Sequence, residues 1–335
     1  MNNQKYYIIA VSHKTCGLFA ILKNTIAHIL YALEQGYIPV VDLKHYQNQY
    51  FKDNRTFQDN TWDYFFEQPF NIRLEDIPSD ADVIISDNVL IPDYDYALFP
   101  YHLPVEGESE DVQIIKLKNN YKKYFRINPQ TMRYLEDSYK NLLGDEKSVL
   151  GILCRGTDYL SLKPQWHPIQ PNPEDVLKKA KELYQKHNYK KIYLATEDKK
   201  IYDMFKREFG NILVDNNQYR YSDTENKYLT DITVNRENHN YNLAKEYFQS
   251  VYILSKCKYF IGGRTSGTIA AWLMSEGWEY NYIWELGNYG VEEVAMNDKN
   301  LLKTIFSIKN EYKNDIKHKV ITILGTKFKI RCTSG

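Results

Sequence analysis

The sequence predicts an α/β protein of two domains, each built on a parallel β-sheet. The 335 residues exceed what one hydrophobic core usually serves. Short apolar runs rich in β-branched residues alternate with helical patterns along both halves, as in parallel sheets with crossover helices. A charged, turn-like stretch at 144–147 separates the two halves. The expected domains are therefore residues 1–145 and 146–335.

The amino-terminal half opens with the pattern strand, loop, helix and strand. The first strand is predicted at 6–11 and the second at 37–43. Between them, apolar residues recur at helical spacing from Leu18 to Leu33, and Gly36 follows as a helix stop. A right-handed βαβ unit is the expected arrangement. This half is also predicted to contain a third strand at 82–87, a solvated acidic loop at 105–111 and a helix from Pro129 to Leu143.

The carboxy-terminal half repeats the alternation. Its strands are predicted at 149–154, 191–196, 212–215, 258–261 and 280–286. Its helices are predicted at 173–187, 199–209, 241–255 and 265–274, with another at 298–305 before a basic tail. Two stretches, 159–172 with three prolines and 216–240 with a polar, flexible composition, are predicted as loops.

Charge and cysteine usage exclude several classes of protein. Lys+Arg 43 balance Asp+Glu 43, so no net basic field attracts nucleic acid. The four cysteines, Cys16, Cys154, Cys257 and Cys332, lack the spacing of a disulfide framework or a zinc site. No apolar run suits a signal peptide or a bilayer span. We expect a cytoplasmic protein without a membrane span, and peripheral association with a membrane is left open.

The first candidate site follows the strand predicted at 149–154. Arg155, Gly156, Thr157 and Asp158 come directly after it. Ligands of parallel sheets bind at the carboxyl ends of the strands, a guanidinium suits a diphosphate, and a glycine lets the backbone approach a ligand. Asp158 would hold the guanidinium through charge-assisted hydrogen bonds. A purely structural Arg–Asp pair explains the same residues equally well.

The second candidate site lies where a strand gives way to a helix. Gly262 and Gly263 open a turn, and the helix is predicted to begin near Thr265 or Ser266. Backbone N–H groups and the hydroxyls of Thr265, Ser266 and Thr268 would then lie at a positive helix end, which suits a phosphate. Since Ser and Thr are also good helix caps, a well-capped helix is the alternative. The glycine spacing fits neither a P-loop nor a dinucleotide fingerprint.

Weaker signals lie in the amino-terminal half. The loop before the first helix places Cys16, Gly17 and Asn24 near the end of the first strand. The aromatic segment at 62–69 is either a wall for a sugar or a plug at the edge of the domain. Asp93-Tyr-Asp95 has the D-x-D form that holds a metal in some glycosyltransferases, but the neighbouring Pro92 and tyrosines favour a plain turn.

Two α/β domains with phosphate-type features confined to the second describe a GT-B glycosyltransferase, in which two Rossmann-like domains with parallel sheets face a central cleft. Arg155-Gly-Thr-Asp158 resembles the H-x-R-R-T/G-D motif of the α1,2-, α1,6- and protein O-fucosyltransferase superfamily. His167-Pro-Ile169 and Ala195-Thr-Glu-Asp198 are similar to the His-Pro-Ile and Ala-Thr-Asp-Asp of the α1,6 enzymes. The segment from Leu254 to Ser266 looks like theirs from Leu-Ser to a Ser-Ser pair.

The resemblance covers roughly residues 148–278. More loosely, the first helix with Gly36-Tyr-Ile-Pro-Val-Val-Asp42 and the segment at 62–69 look like bacterial polysaccharide-cluster members of the same superfamily. The resemblance rests on the order that these motifs share along the chain.

The resemblance implies that the second domain binds the sugar donor and the first binds the acceptor. Arg155 would contact the β-phosphate of the donor, and Thr265 and Ser266 would bind its diphosphate. The remaining donor-side candidates are Gly156, Thr157, Glu197, Asp198, Ser250, Arg264, Gly267 and Thr268, and the acceptor-side candidates are Gly17, Asn24, Trp62 and Tyr64. The superfamily transfers fucose from GDP-fucose with inversion and without an essential metal. The expected reaction modifies a surface glycan or glycolipid and needs no cofactor beyond the nucleotide sugar.

Three departures from the superfamily's pattern leave alternatives open. Leu153 stands where the motif has its histidine, Ser250 where an aspartate pairs with guanine, and Lys163 where α1,6 enzymes carry an acid. The nucleotide base and the catalytic base are therefore both undecided. Glu67 and His167 are the candidates for the catalytic base, and Asp158 is expected to orient Arg155.

Asp198 has a second interpretation, because an aspartate directly before a predicted helix is most often an N-cap. The alternatives for the whole protein are a transferase that uses another nucleotide sugar, a catalytically silent nucleotide- or sugar-binding protein, and a metal-dependent transferase that uses Asp93 and Asp95.

Overall fold

The structure is a computed structural model. It describes residues 4–10, 17–86 except 47 and 57, 110–290 except 166 and 225, 306–313, 316–323 and 326–331. Contacts divide the chain into two compact units, Met1–Tyr289 and Gly290–Gly335. The two parallel sheets lie in the first unit and establish an α/β fold, as the sequence predicts.

The amino-terminal half is built on a three-stranded parallel sheet. Its strands are β1 (Lys5–Ile9), β2 (Ile38–Val41) and β3 (Asp82–Ile85), in the order β2-β1-β3. Helix α1 (Leu18–Glu34) connects β1 to β2 and buries one side, including Phe19, against the core. Gly36 has a φ of 73°, a conformation that glycine adopts without strain, and lets the chain turn back into β2.

Two further helices complete this half. Helix α2 spans Glu110–Tyr124, where the sequence predicted only the end of an acidic loop. Helix α3 spans Pro129–Leu143, as predicted. The side chain of Asn128 accepts a hydrogen bond from the backbone N–H of Thr131 (2.8 Å), and Pro129 needs no partner for its nitrogen in the first turn.

The carboxy-terminal half carries a five-stranded parallel sheet with the strand order β6-β5-β4-β7-β8. The strands are β4 (Val149–Leu153), β5 (Lys191–Ala195), β6 (Leu213–Val214), β7 (Tyr259–Gly263) and β8 (Tyr280–Trp284). The helices are α4 (Thr157–Leu162), α5 (Pro173–His187), α6 (Lys199–Phe209), α7 (His239–Lys256) and α8 (Ser266–Met274). Burial of β4 on both faces fits its uninterrupted apolar sequence.

Helix α4 is a local correction to the sequence-based prediction. The stretch from 159 was expected to be a loop, but α4 begins at Thr157, directly after the turn that carries Arg155. The remaining part of the expected loop pairs with the end of the sheet, where Ile169 donates its backbone N–H to the carbonyl oxygen of Gly287 (2.9 Å).

The two halves share buried surface. The ring of Phe19 from α1 packs edge-on against that of Phe248 from α7, with 5.5 Å between centroids. At the periphery, the backbone N–H of Asp53 donates to Asn238 Oδ1 (2.9 Å), and the N–H of Asn238 donates to Asp53 Oδ2 (2.6 Å). The division into domains at residue 145 stays a prediction.

The second unit contains a three-stranded antiparallel meander within the basic tail, where the sequence analysis predicted no strands. Its strands are β9 (Phe306–Lys313), β10 (Ile316–Ile323) and β11 (Thr326–Arg331), with β10 in the middle. The sequence alternates apolar and polar residues with the period of two that strands require. Because many of the polar residues are lysines, the segment was interpreted by its charge and not by its periodicity. The helix predicted at 298–305 and the loop expected up to residue 109 lie outside the described residues. Within the described part of the chain, no helix is both long and apolar enough to cross a membrane.

Candidate functional site

A cleft of about 590 Å³ lies between the two halves of the first unit. The carboxyl ends of β4 and β5 and the first residues of α8 line one side of it. The start of α1, together with Gln49 and Tyr50, lines the other. The predicted site residues that the cleft brings together are Gly17, Asn24, Arg155, Asp158, His167, Glu197, Ser250, Thr265 and Ser266.

Arg155 lies between two carboxylates at the floor of the cleft. Its NH2 group donates to Asp158 Oδ1 (3.1 Å). Its Nε is 3.4 Å from Glu197 Oε1, which is ion-pair distance without the geometry of a hydrogen bond. The guanidinium carbon also lies 4.7 Å from the ring centre of Tyr159. The side chain is 16% exposed, so it is held firmly and still reaches the cleft.

The charge of Arg155 is stabilised by these neighbours. Burial alone lowers the pKa of the guanidinium because it disfavours the charged form. The carboxylates of Glu197 and Asp158 outweigh burial, and the net pKa of Arg155 is raised. A permanent cation therefore faces the cleft, as electrostatic stabilisation of a developing negative charge requires.

The turn after Arg155 is shaped by the two acids at the end of β5. Glu197 Oε1 accepts from the backbone N–H of Gly156 and from the hydroxyl of Thr157, both at 3.0 Å. Asp198 Oδ2 accepts from the backbone N–H of Thr157 at 3.2 Å. Thr157 has a φ of 47°, a strained conformation for a β-branched residue. Three hydrogen bonds hold this strained turn and thereby fix the backbone position of Arg155.

Gly156 is required by close packing. A Cβ at this position would lie 2.6 Å from Asp198 Oδ2 and 2.6 Å from Ile201 Cδ1. Asp198 itself caps α6, because its Oδ1 accepts from the backbone N–H groups of Lys200 (2.7 Å) and Ile201 (3.0 Å). The N-cap interpretation of Asp198 is confirmed, and the same carboxylate also supports the turn beside the cleft.

The amino terminus of α8 forms the second element of the site. Thr265 is the N-cap, and its hydroxyl oxygen accepts from the backbone N–H of Thr268 (3.1 Å). The hydroxyl of Thr268 donates to the carbonyl oxygen of Gly263 (2.6 Å), so it serves the fold. Thr265 and Ser266 line the cleft. The positive end of a nine-residue helix therefore points to the same space as Arg155.

Candidates from the aromatic segment at 62–69 lie away from the cleft in the described structure. Trp62 is 2% exposed, and its Nε1 donates to the carbonyl oxygen of Glu67 (3.1 Å). Glu67 Oε2 pairs with Arg126 Nε at 2.9 Å. The hydroxyl of Tyr64 donates to Asp59 Oδ2 (2.9 Å). None of the three is among the residues that line the cleft. The roles of Trp62 and Tyr64 as a sugar wall and of Glu67 as a base stay predictions.

His167 lies in the cleft lining near Arg155. Its ring packs edge-on against Tyr159, with centroids 5.6 Å apart. Burial, followed by the positive charge of Lys23, lowers the pKa of His167. A lowered pKa keeps the imidazole neutral at neutral pH, the form that accepts a proton.

Ser250 is buried in a hydrogen-bonded network that borders the cleft. Its hydroxyl donates to Gln218 Oε1 (2.7 Å), and it lies 3.2 Å from the hydroxyl of Tyr193 and 3.0 Å from Asn216 Nδ2. The Gln218 amide also donates to the carbonyl oxygen of Thr196 (2.7 Å). Arg220 NH2 also donates to Asn216 Oδ1 (3.2 Å), so the network is joined to a cation.

Several cleft residues escaped the sequence analysis. The stretch at 216–240 was predicted as a flexible loop, yet it contributes Gln218, Tyr219, Tyr221, Tyr228 and Leu229 to the lining. Tyr247 from α7 and Lys23 from α1 also line it. The 30 tyrosines of the chain carry no spacing signal that separates these few from the ones that pack in the core.

Arg264 lies just before α8, and its NH1 is 3.7 Å from Glu285 Oε1. Gly267 lies in the first turn of α8. Asp93 and Asp95 fall outside the described residues. Among the residues that are described, no group of three or more His, Cys, Asp or Glu side chains is placed to hold a metal ion.

Comparison with known proteins gives matches among solved structures only. No protein-family model and no curated protein sequence matches the chain. The selenomethionine crystal structure of fucosyltransferase NodZ from Bradyrhizobium superposes with a TM-score of 0.50 and 13% identity, over 86% of this chain and 97% of that one. The chain has a GT-B fucosyltransferase-like fold.

Two other structures are similar over comparable lengths. NodZ α-1,6-fucosyltransferase co-crystallised with GDP gives a TM-score of 0.49 at 13% identity, over 81% of this chain and 93% of that one. POFUT1 in complex with GDP-fucose gives 0.35 at 12% identity, over 86% and 75%. In the GT-B description, the three- and five-stranded parallel sheets are the cores of the two Rossmann-like parts, and the cleft lies between them.

Proposed function

We propose that this chain is an inverting glycosyltransferase that takes a nucleotide sugar as donor and does not require a metal ion. The observation that carries the proposal is the convergence of the Arg155 guanidinium and the amino terminus of α8 on one cleft. Both attract the negative charge that a departing nucleoside diphosphate accumulates. The proposed halves are a donor-binding part at 146–335 and an acceptor-binding part at 1–145.

GDP-fucose is the proposed donor, and a surface glycan or glycolipid is the proposed acceptor. Fucose is supported by the resemblance of Arg155-Gly-Thr-Asp158 to the fucosyltransferase motif and by the fold shared with a fucosyltransferase. The proposed setting is polysaccharide biosynthesis in the cytoplasm. The identities of the donor and the acceptor are a more specific proposal than glycosyl transfer itself, and they are tested separately.

The proposed reaction is an in-line displacement at the anomeric carbon of the sugar. An acceptor hydroxyl forms the new C–O bond while the bond from the anomeric carbon to the phosphate oxygen breaks. The sugar passes through oxocarbenium-like character, as in other glycosyl transfers. Arg155 would neutralise the leaving diphosphate, and its position is fixed beforehand by Asp158 and Glu197.

His167 is the proposed catalytic base. It lines the cleft, and the lowered pKa of its imidazole favours the neutral form that can take the proton of the acceptor hydroxyl. Glu67 is not proposed further for this role, since it pairs with Arg126 outside the cleft lining. Gly17, directly before α1, and Asn24, on α1, line the cleft and are the proposed acceptor contacts.

A transferase that uses another nucleotide sugar is the alternative that a specific observation favours. Guanine presents two adjacent N–H donors, which a carboxylate can accept together. Ser250 occupies the position of the expected aspartate, and its hydroxyl already contacts Tyr193, Asn216 and Gln218. The nucleobase is therefore the least supported part of the donor assignment.

A thermal-shift panel of GDP, UDP, CDP and ADP, with and without magnesium, tests the donor class. A ligand that binds only the folded protein raises the midpoint of unfolding. We expect GDP to stabilise the protein without metal. Stabilisation by UDP only in the presence of magnesium would contradict the proposal.

Transfer is tested by incubating the protein with labelled GDP-fucose and a glycan panel. A protein that binds nucleotide but neither hydrolyses nor transfers the sugar would be a silent binding protein.

A further inference from the structure

Tyr247 lies at the meeting point of the two elements that define the site. It belongs to α7, is partly buried, and lines the cleft together with Arg155 and Thr265. Neither sequence motif includes it. Its position is set by helix packing across a long stretch of chain.

The phenol tip of Tyr247 is in contact with the first turn of α8. A Cβ built on Gly267 would lie 2.1 Å from the phenolic oxygen and 3.0 Å from Cζ of the ring. The hydroxyl also lies near the side chain of Thr265, the N-cap of α8. Glycine at 267 is therefore what allows a hydroxyl to lie beside the amino-terminal backbone of this helix.

The ring is held from the other side of the cleft. Phe19 of α1 packs edge-on against it, with 5.2 Å between the two centroids. A ring fixed between two helices loses little further freedom when its hydroxyl binds a ligand. This is the preorganisation that makes a hydrogen-bond donor effective for a charge that appears during reaction.

The hydroxyl keeps its proton. Burial raises the pKa of Tyr247 to about 12, although the nearby positive charge of Arg155 opposes this shift. A protonated phenol is a hydrogen-bond donor and not a base at neutral pH. Its natural partner in a cleft that also contains Arg155 and the positive end of α8 is an oxyanion.

We propose that the Tyr247 hydroxyl donates a hydrogen bond to the terminal phosphate of the bound nucleoside diphosphate, as a third contact beside Arg155 and the amino terminus of α8. This inference rests on the proposed function, because it assumes that the cleft binds a nucleotide sugar. The phenol stabilises the leaving group without transferring its proton, and it acts more strongly as the sugar departs and charge accumulates on the phosphate.

The test compares Tyr247→Phe with the parent protein. The substitution keeps the ring and its packing against Phe19 and removes only the hydroxyl. We expect turnover with GDP-fucose to fall roughly tenfold, the effect of one charge-assisted hydrogen bond. We also expect GDP to bind more weakly while GMP, which lacks the terminal phosphate, binds as before. Tyr252→Phe is the matched control, since Tyr252 lies on the same helix, is 7% exposed and does not line the cleft.

Binding measurements separate failure of the inference from failure of the proposed function. A parent protein that binds none of GDP, UDP, CDP and ADP contradicts the proposed function and the inference with it. If it binds another of these diphosphates instead of GDP, the same comparison is made with that diphosphate and its monophosphate. A parent protein that prefers GDP to GMP, together with an unchanged preference in Tyr247→Phe, contradicts the inference alone.

Gly267→Ala gives an independent test. The new Cβ would displace the phenolic oxygen, so we expect it to weaken GDP binding in the parent protein. In the Tyr247→Phe background, the fold loss in GDP affinity caused by Gly267→Ala should be at least three times smaller than in the parent protein, because the hydroxyl that the Cβ displaces is already absent. Equal losses in both backgrounds would show that the two positions are not coupled, and would overturn the inference.

Discussion

The two halves of the first unit use their polar residues differently. In the carboxy-terminal half, the ends of β4 and β5 hold Arg155, Asp158 and Glu197 within a few ångströms of one another. In the amino-terminal half, the aromatic residues at 62–66 pack in the core, and the start of α1 lines the cleft. The carboxy-terminal side of the cleft therefore carries charged groups that bond to each other and to a turn, whereas the amino-terminal side contributes Lys23 and Asn24 from α1.

The largest difference between the two halves is expected when one arginine is removed from each. Arg155→Ala should lower turnover roughly a hundredfold or more, because it removes the fixed cation opposite the leaving phosphate. Steady-state kinetics would measure the loss, and circular dichroism would check that the fold is retained.

Arg126→Ala is the matched variant in the amino-terminal half, since Arg126 pairs with Glu67 away from the cleft. Its turnover should stay within about twofold of the parent value, because an exposed ion pair contributes little. If turnover falls less than fivefold in Arg155→Ala, or falls by a similar factor in both variants, the proposed difference between the two halves is wrong.

His167→Gln should lower turnover roughly a hundredfold at neutral pH, as expected for removal of a general base. A base must be deprotonated to act, and the pKa of His167 is lowered from the ordinary 6.5. Activity of the parent protein should therefore persist as the pH falls to 6.5 and decline only below that value.

The pH–rate profile of His167→Gln should lack this acidic limb. His45→Gln is the control, because the His45 side chain is 62% exposed and lies on the amino-terminal half. An unchanged acidic limb in His167→Gln would exclude His167 as the base.

Gly156→Ala should disturb the turn that follows Arg155. The added Cβ would clash with Asp198 and Ile201, both 2.6 Å away, so the turn must shift. We expect a loss of about 1–3 kcal/mol in the free energy of unfolding, typical of overpacking, and a fall of roughly tenfold in turnover as Arg155 moves. Denaturant unfolding and kinetics measure the two effects, and full activity at reduced stability would show that the turn does not position Arg155.

Trp62→Phe should have the smallest effect on the reaction. Trp62 packs edge-on against Phe125 in the core of the amino-terminal half, with centroids 5.3 Å apart. We expect about 1–2 kcal/mol less stability from the smaller ring and an unchanged KM for the acceptor. A raised KM at constant stability would return the aromatic segment to the acceptor site.

The parts of the site that the sequence predicted are those specified by short spacing. Arg155 and Asp158 are three residues apart and pair at the end of a strand, and Thr265 and Thr268 cap one helix turn. Apolar periodicity also predicted both parallel sheets and most helices to within a few residues. In each case the information is contained in a local stretch of chain.

The residues and elements that the sequence analysis did not place are positioned by contacts between distant parts of the chain. Tyr247 reaches the cleft because Gly267 of another helix leaves room for its hydroxyl. Trp62 packs against Phe125 in the core, and Glu67 forms an exposed ion pair with Arg126. Helix α4 was missed because it begins at Thr157, whose positive φ is supported by acids forty residues later. Single-sequence patterns contain none of these contacts.

The packing of Phe19 against Phe248 has a consequence for how the protein can be divided. The largest buried cluster draws apolar side chains from both halves, so neither fragment would cover its own interior surface. Separately produced pieces ending and beginning near residue 145 should be insoluble or poorly folded, yet should assemble when they are mixed or co-expressed. The chain is thus suited to a split reporter, whose signal returns only when the two pieces meet.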